Sequence, residues 1–119
     1  MDTVTFNQFS AIDIRIGTVI KADVPVWSHW VIKLTVDFGE FGERVIFAGM
    51  MKFYKPEELV GKQFPFVINI TPKKIGPEGD YSQGMMLAAD NVLDKEKPEE
   101  GIPVLFKLQK KVPNGTKVR

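Results

Sequence analysis

The 119-residue chain has no cysteine and a single histidine, His29. Disulfides, thiolate metal sites and thiol nucleophiles are thereby excluded, and one histidine cannot build a histidine-based metal cluster or a Cys-His pair. The absence of cysteine agrees with a reducing compartment. No apolar run approaches membrane-spanning length, and the opening "MDTVTFNQFS" carries an early acid and no apolar stretch of the kind a signal peptide needs. A cytoplasmic protein with no membrane partner is expected. Net charge is also lacking: at +1 the total does not advertise a nucleic-acid partner as a strongly basic domain would. Ser28 beside His29 is adjacency in sequence, not a nucleophile-base geometry. Asp37, Glu40 and Glu43 in "DFGEFGE" miss the calcium-loop spacing, and a hairpin turn explains them better. Neither catalysis nor a metal or cofactor is indicated.

What is present is enough apolar mass for one globular domain spanning 1–119: 44% of residues are hydrophobic and 26% charged. The charge is segregated. "FKLQKKVPNGTKVR" holds Lys107, Lys110, Lys111, Lys117 and Arg119 without an acid, while "DKEKPEE" upstream collects Asp94, Glu96, Glu99 and Glu100. Such an arrangement is either a local positive surface on a nearly neutral protein or a solvated basic tail beside an acidic loop.

Period-two patterning dominates. In "IDIRIGTVIKA", Ile12, Ile14, Ile16, Ile20 and Ala22 share one face and Asp13, Arg15 and Lys21 the other, a long half-buried strand. Gly17 in its middle marks a bulge or sharp bend. "WVIKLTVDF" repeats the period, with Trp30, Ile32, Leu34, Val36 and Phe38 inward and Lys33 and Thr35 outward, so that Arg15 and Lys33 can occupy one outer surface if the strands pair. "GEFGE" reads as a turn and "RVIFA" as a third strand. "YKPEELVGK" has the punctuation of a short helix, with Pro56 at its start, Glu57 and Glu58 at the positive end and Gly61 at the exit. "FPFVINI" and "GMMLAAD" are a fourth and a fifth strand; "IPVLFKL" is a further short strand before the turn "VPNGTK". Three strands, a short helix and two strands is the chain order of a five-stranded Greek-key OB-fold barrel, whose outer face and loops hold oligonucleotides. The barrel is expected over about 10–92, with extensions at 1–9 and 93–119.

One stretch gathers unusual chemistry: "NITPKKIGPEGDYSQGMM", residues 69–86, sets an asparagine, two lysines, Ser-Gln-Gly and two methionines around one turn. Amides and hydroxyls exchange hydrogen bonds with phosphate, 2'-OH and base edges, and lysines supply phosphate charge. Met85 or Met86 offers a soft surface for a base, although alternation puts one of the pair inside. The structural alternative is that Asn69 caps the strand end and Ser82 and Gln83 satisfy the turn's own backbone.

The motifs "FxxIDIRIGTVIKAD", "KLTVDFGEFGERV", "YKPEELVGK", "NITPKK", "SQGMMLAA" and "VPNGTKVR" follow, in order and over nearly the whole chain, a pattern that resembles the tRNA-binding domain. That domain occurs in freestanding dimeric tRNA-binding proteins, at the C-terminus of bacterial methionyl-tRNA synthetases and in the CsaA export chaperones. The chain holds no synthetase catalytic domain, so the freestanding members are the nearest comparison. The resemblance implies a non-catalytic, homodimeric protein that recognises folded tRNA through shape and backbone. Arg15, Lys33, Lys73 and Lys74 would supply charge, Asn69, Ser82 and Gln83 directional hydrogen bonds, and Met85 an apolar contact. Phe6, Phe9, Val104 and Phe106 in the extensions would contribute to the dimer interface. Partners implied are tRNA, a second copy, and either an aminoacyl-tRNA synthetase or, in a CsaA-like chaperone, unfolded preprotein held by Trp27, Phe53 and the methionines. Two departures stand out: Glu78 and Asp80 enter the turn where more basic character is usual, and Trp27, Ser28, His29 and Trp30 replace a basic loop between the first two strands.

Overall fold

Strand β1 (Ile14–Asp23) is the spine of the molecule in the computed structural model, which describes residues 1–119. It pairs antiparallel with β2 (Ile32–Asp37) on one side and β4 (Gln63–Val67) on the other. β2 in turn pairs with β3 (Glu43–Ala48), and β4 with the two-residue β7 (Met85–Met86), giving the order β3-β2-β1-β4-β7. Between β4 and β7 the chain forms a hairpin of β5 (Lys73–Ile75) and β6 (Asp80–Ser82); after β7, β8 (Ala88–Asn91) pairs with β9 (Ile102–Leu105). The five-stranded sheet curls until Gln83, just before β7, bonds back to Val45 of β3. The result is a nearly closed, mostly β barrel of the OB type.

The interior follows the alternation of β2: Ile32, Leu34 and Val36 are fully buried, joined by Phe38, Ile46, Leu59 and Phe66. Phe38 and Phe66 meet edge to face, their ring centroids 5.4 Å apart, a geometry that suits the ring quadrupoles. Trp30 does not point inward as expected; it is 53% exposed. Ser28 explains the difference. Its Oγ accepts from the Val31 N–H at 2.9 Å and donates to the Val31 carbonyl, a local turn that delivers Val31 rather than Trp30 to the interior.

β1 departs from the simple pattern too. Its ladder with β2 slips between Val19 and Lys21, so the bulge lies at Ile20 and not at Gly17, and Ile20 is exposed. Val19 and Ala22, three apart, both reach the core because the bulge inserts a residue between them, while Ile16 is buried outside the main cluster. Gly17 serves a different need: a Cβ there would lie 2.5 Å from Val36 Cγ1 and 2.7 Å from Phe38 Cε1. It is a point of close approach.

The helix expected between the third and fourth strands is a single 3-10 turn, Pro56–Glu58, with Pro56 at its start. The α-helix of the chain, α1 (Phe6–Ser10), lies instead in the N-terminal extension. The signal for it is Thr5-x-x-Gln8: the Thr5 hydroxyl accepts from the Gln8 N–H at 3.1 Å and the side-chain Oε1 of Gln8 accepts from the Thr5 N–H at 2.8 Å, a capping box. The turn "VPNGTK" forms, and residues 114–118 then run along the part of β1 that β2 does not reach. Ile16 N–H donates to Thr116, Gly115 N–H to Ile16 and Val118 N–H to Ile14. Asn114 Oδ1 accepts from Thr18 Oγ1 and from Gln63 Nε2, locking this segment to β1 and β4.

Candidate nucleic-acid interface

The hairpin β5–β6 projects Lys73 and Lys74, both exposed and both without an ion-pair partner, since the chain's two ion pairs join Arg15 to Asp13 and Lys33 to Asp80. Its seat on the barrel is specific. The ring of Trp27 packs where a side chain at Gly76 would have to sit, and Gly76 has φ +73°, so only glycine suits that position. Trp27 is held in turn by Phe47 and Trp30, at centroid distances of 6.1 and 6.3 Å. The tryptophan-containing loop is thus the shelf on which the hairpin rests.

At the other end of the hairpin, Ser82 and Gln83 close the barrel. Ser82 is buried; its Oγ accepts from the Phe47 N–H at 3.0 Å and donates to the Gly84 carbonyl at 3.0 Å. The Gln83 N–H donates to Val45 at 2.8 Å, and its Oε1 accepts from the Val45 N–H at 3.0 Å. Arg44 adds hydrogen bonds to the carbonyls of Ile68 and Gln83. The sequence reading missed Arg44; no local pattern marks it, because both acceptors are remote in sequence. Asn69 is engaged in the same manner, accepting from the Asp13 N–H at 2.8 Å and donating to the Ala11 carbonyl at 2.6 Å. These polar groups bond other parts of the fold and not only their own turn. Gln83 Nε2 makes no hydrogen bond within the chain, and Gln83 is exposed.

Lys33 reaches the hairpin: its Nζ is 3.3 Å from Asp80 Oδ2. Lys33, Lys73, Lys74, Ser82 and Gln83 therefore belong to one region, while the exposed Met85 stands on β7 opposite Val67, the partner of Ile14. Arg15 lies outside that region. The β1–β2 ladder begins at Thr18 and sets Lys33 against Asp23, so Arg15 and Lys33 lie at opposite ends of it and do not form one outer surface. Arg15 is tied down where it stands, with Nε 2.7 Å from Asp13 Oδ1, a bond to the Gly115 carbonyl at 3.2 Å, and its guanidinium 4.5 Å from the centre of the Phe41 ring.

Phe6, Phe9, Val104 and Phe106 are all exposed, and α1 buries none of its residues. Away from the hairpin, an open groove of about 550 Å³ lies between the 3-10 turn and the C-terminal segment, with Leu105 and Leu108 in its wall and Lys62, Lys107, Lys110 and Lys111 around it. No helix is long and apolar enough to cross a membrane.

The architecture is thus a small barrel of the OB type with a lysine-bearing hairpin seated on its face. The chain belongs to the tRNA binding domain family, whose sequence model matches residues 14–117. It is 45% identical over 116 residues to a methionine-tRNA ligase of Methanothrix thermoacetophila, and 33% identical over 116 residues to that of Bacillus subtilis; each match covers 98% of this chain. The chain spans only 16% of the length of either ligase. Among solved structures, a MetRS-related protein from Pyrococcus horikoshii superposes with a TM-score of 0.86 at 36% identity, covering 100% of both chains. The chaperone CsaA from Bacillus anthracis does so with a TM-score of 0.80 at 33% identity, covering 99% of this chain and 100% of the other.

Proposed function

We propose that the chain is a non-catalytic, structure-specific tRNA-binding protein that acts in the cytoplasm as a homodimer. The observation that carries this reading is the family match over 14–117, which includes the whole lysine-bearing hairpin. Lys73 and Lys74 are free to meet phosphates, Met85 lies exposed on β7, and Gln83 Nε2 remains available to a 2'-OH or base edge. Lys33 would join them once released from Asp80. Asn69 and Ser82 hold the surface in shape, their side chains being bonded within the fold. Arg15 stands apart from this surface, its charge balanced by Asp13.

The dimer reading is supported by the exposed apolar residues of the two extensions, Phe6 and Phe9 on α1 and Val104 and Phe106 in or beside β9. A symmetric pair would bury them and place two RNA surfaces on one particle. An aminoacyl-tRNA synthetase is a fitting partner in view of the relatives. The second reading, a chaperone for unfolded preproteins, is favoured by the likeness to CsaA over nearly the full chain and by the partly apolar groove.

Fluorescence anisotropy separates them. Labelled tRNA and a length-matched unstructured RNA are titrated across a salt series with wild type and with Lys73→Glu/Lys74→Glu. Tight binding of tRNA alone, weakened by salt and lost in the variant, is expected. Equal, feeble binding of both RNAs by wild type sinks the tRNA reading and directs attention to unfolded preproteins.

A further inference from the structure

We infer that Tyr81 and Lys74 together form a docking point for one unpaired nucleobase and its adjoining phosphate, on the outward face of the β5–β6 hairpin. The inference rests on the tRNA-binding reading and adds to it an aromatic contact and the ligand group it takes.

The register of the hairpin decides the geometry. Lys74 stands opposite Tyr81, and Lys73 opposite Ser82. In an antiparallel ladder directly opposed residues share a face and successive residues alternate between faces. Ser82 identifies the barrel-facing side, because it is buried with its Oγ on the Phe47 N–H. Tyr81 and Lys74 therefore share the opposite face, toward solvent, as cross-strand neighbours.

Both side chains are free there. Tyr81 is 54% exposed, its hydroxyl makes no hydrogen bond within the chain, and its ring is in none of the aromatic pairs, which involve Trp27, Trp30, Phe47, Phe38 and Phe66. Lys74 has no carboxylate partner. The acid adjoining Tyr81 in the strand, Asp80, faces Lys33, so its charge is balanced locally. Glu78 remains at the tip as the hairpin's other acid. The platform is also fixed, since Trp27 occupies the space at Gly76 and Ser82 and Gln83 are bonded to β3.

A bare aromatic plane beside an unpaired ammonium suits a ligand that is both planar and anionic. An unpaired nucleotide is both: the base stacks on the ring and the phosphate meets the lysine. A paired stem offers phosphates but no free base face, and an acidic peptide would engage Lys74 while leaving the ring unused. The hairpin would thus favour regions of tRNA where a base is turned out of the stack.

The test uses the full chain, labelled tRNA and a labelled blunt RNA duplex without unpaired bases, with wild type, Tyr81→Ala, Tyr81→Phe and Lys74→Gln. Tyr81→Ala is expected to weaken tRNA binding at least about fivefold while leaving duplex binding and the salt slope unchanged. Tyr81→Phe should bind as wild type does, because the ring and not the hydroxyl is used. Lys74→Gln should weaken both RNAs and lower the salt slope by about one. The inference is overturned if Tyr81→Ala binds tRNA as wild type does, if it loses both RNAs equally, or if Tyr81→Phe is as weak as Tyr81→Ala. Wild type that binds neither RNA overturns the tRNA reading and this inference with it, whereas normal wild-type binding untouched by Tyr81→Ala overturns the inference alone. Tyr81 is exposed, and matching unfolding midpoints for the variants exclude loss of fold as the cause.

Discussion

Gln83 pairs with Val45 as one strand residue pairs with another, except that a side chain supplies one of the two acceptors. The Gln83 N–H donates to the Val45 carbonyl at 2.8 Å, and the Val45 N–H donates to Gln83 Oε1 at 3.0 Å. Together with the Ser82 hydroxyl on Phe47, this closes the barrel between β3 and the segment leading into β7.

Ser82→Ala should therefore act first on stability. It leaves the Phe47 N–H without its acceptor at a buried site and the Gly84 carbonyl without its donor, a loss of about 1–3 kcal/mol. Urea unfolding measures it. A variant of unchanged stability that nevertheless lost RNA would show Ser82 to be a direct contact instead of a structural closure.

Gly17→Ala tests the close approach inside the barrel. The added methyl would collide with Val36 and Phe38, both fully buried, and overpacking of this kind typically costs about 1–3 kcal/mol. Combining it with Val36→Ala should recover part of that loss, so the two changes will not add. Additive midpoints would mean that the strand shifts to accommodate the methyl without involving Val36.

Asp80→Asn is expected to do little to stability and more to binding. The Lys33–Asp80 pair is partly exposed, and such pairs contribute at most about 1 kcal/mol. Releasing Lys33 adds a free cation beside Lys73 and Lys74, so tRNA affinity should rise and its salt slope steepen by about one. An unchanged slope would show that Lys33 stays out of the phosphate contacts.

For the homodimer, sedimentation at micromolar concentration should give twice the chain mass for wild type and the single mass for Phe6→Glu/Phe106→Glu. Both residues are exposed within one chain, so the changes leave its interior intact. A monomeric wild type rules the dimer out.

Much of the barrel was legible because a half-buried strand writes its own period into the sequence. Ile32, Leu34, Val36 and Phe38 are inward in the structure as in the pattern. Ile12, expected inward, precedes β1 and is exposed; the other errors in the pattern came where a local event resets the phase. A bulge at Ile20 and a serine turn at Ser28 each move one large apolar residue outward, and neither shifts the residue types that a periodic pattern counts. The α1 helix was missed for the opposite reason: its capping box is present in Thr5 and Gln8, but its face buries nothing and so leaves no apolar stripe to find.

The sequence by itself determined the strands, most of the interior and, through the order of its motifs, the family. It also determined that two lysines, an amide pair and a hydroxyl would gather near one hairpin. Only the tertiary structure decided which of those groups are free. Asn69, Ser82 and Gln83 are bonded to residues 56, 35 and 38 positions away, whereas Lys73, Lys74 and Tyr81 meet no such partner. The reason is that hydrogen-bonding capacity belongs to the residue type, but whether it is satisfied depends on which distant backbone groups the closed barrel brings within about 3 Å.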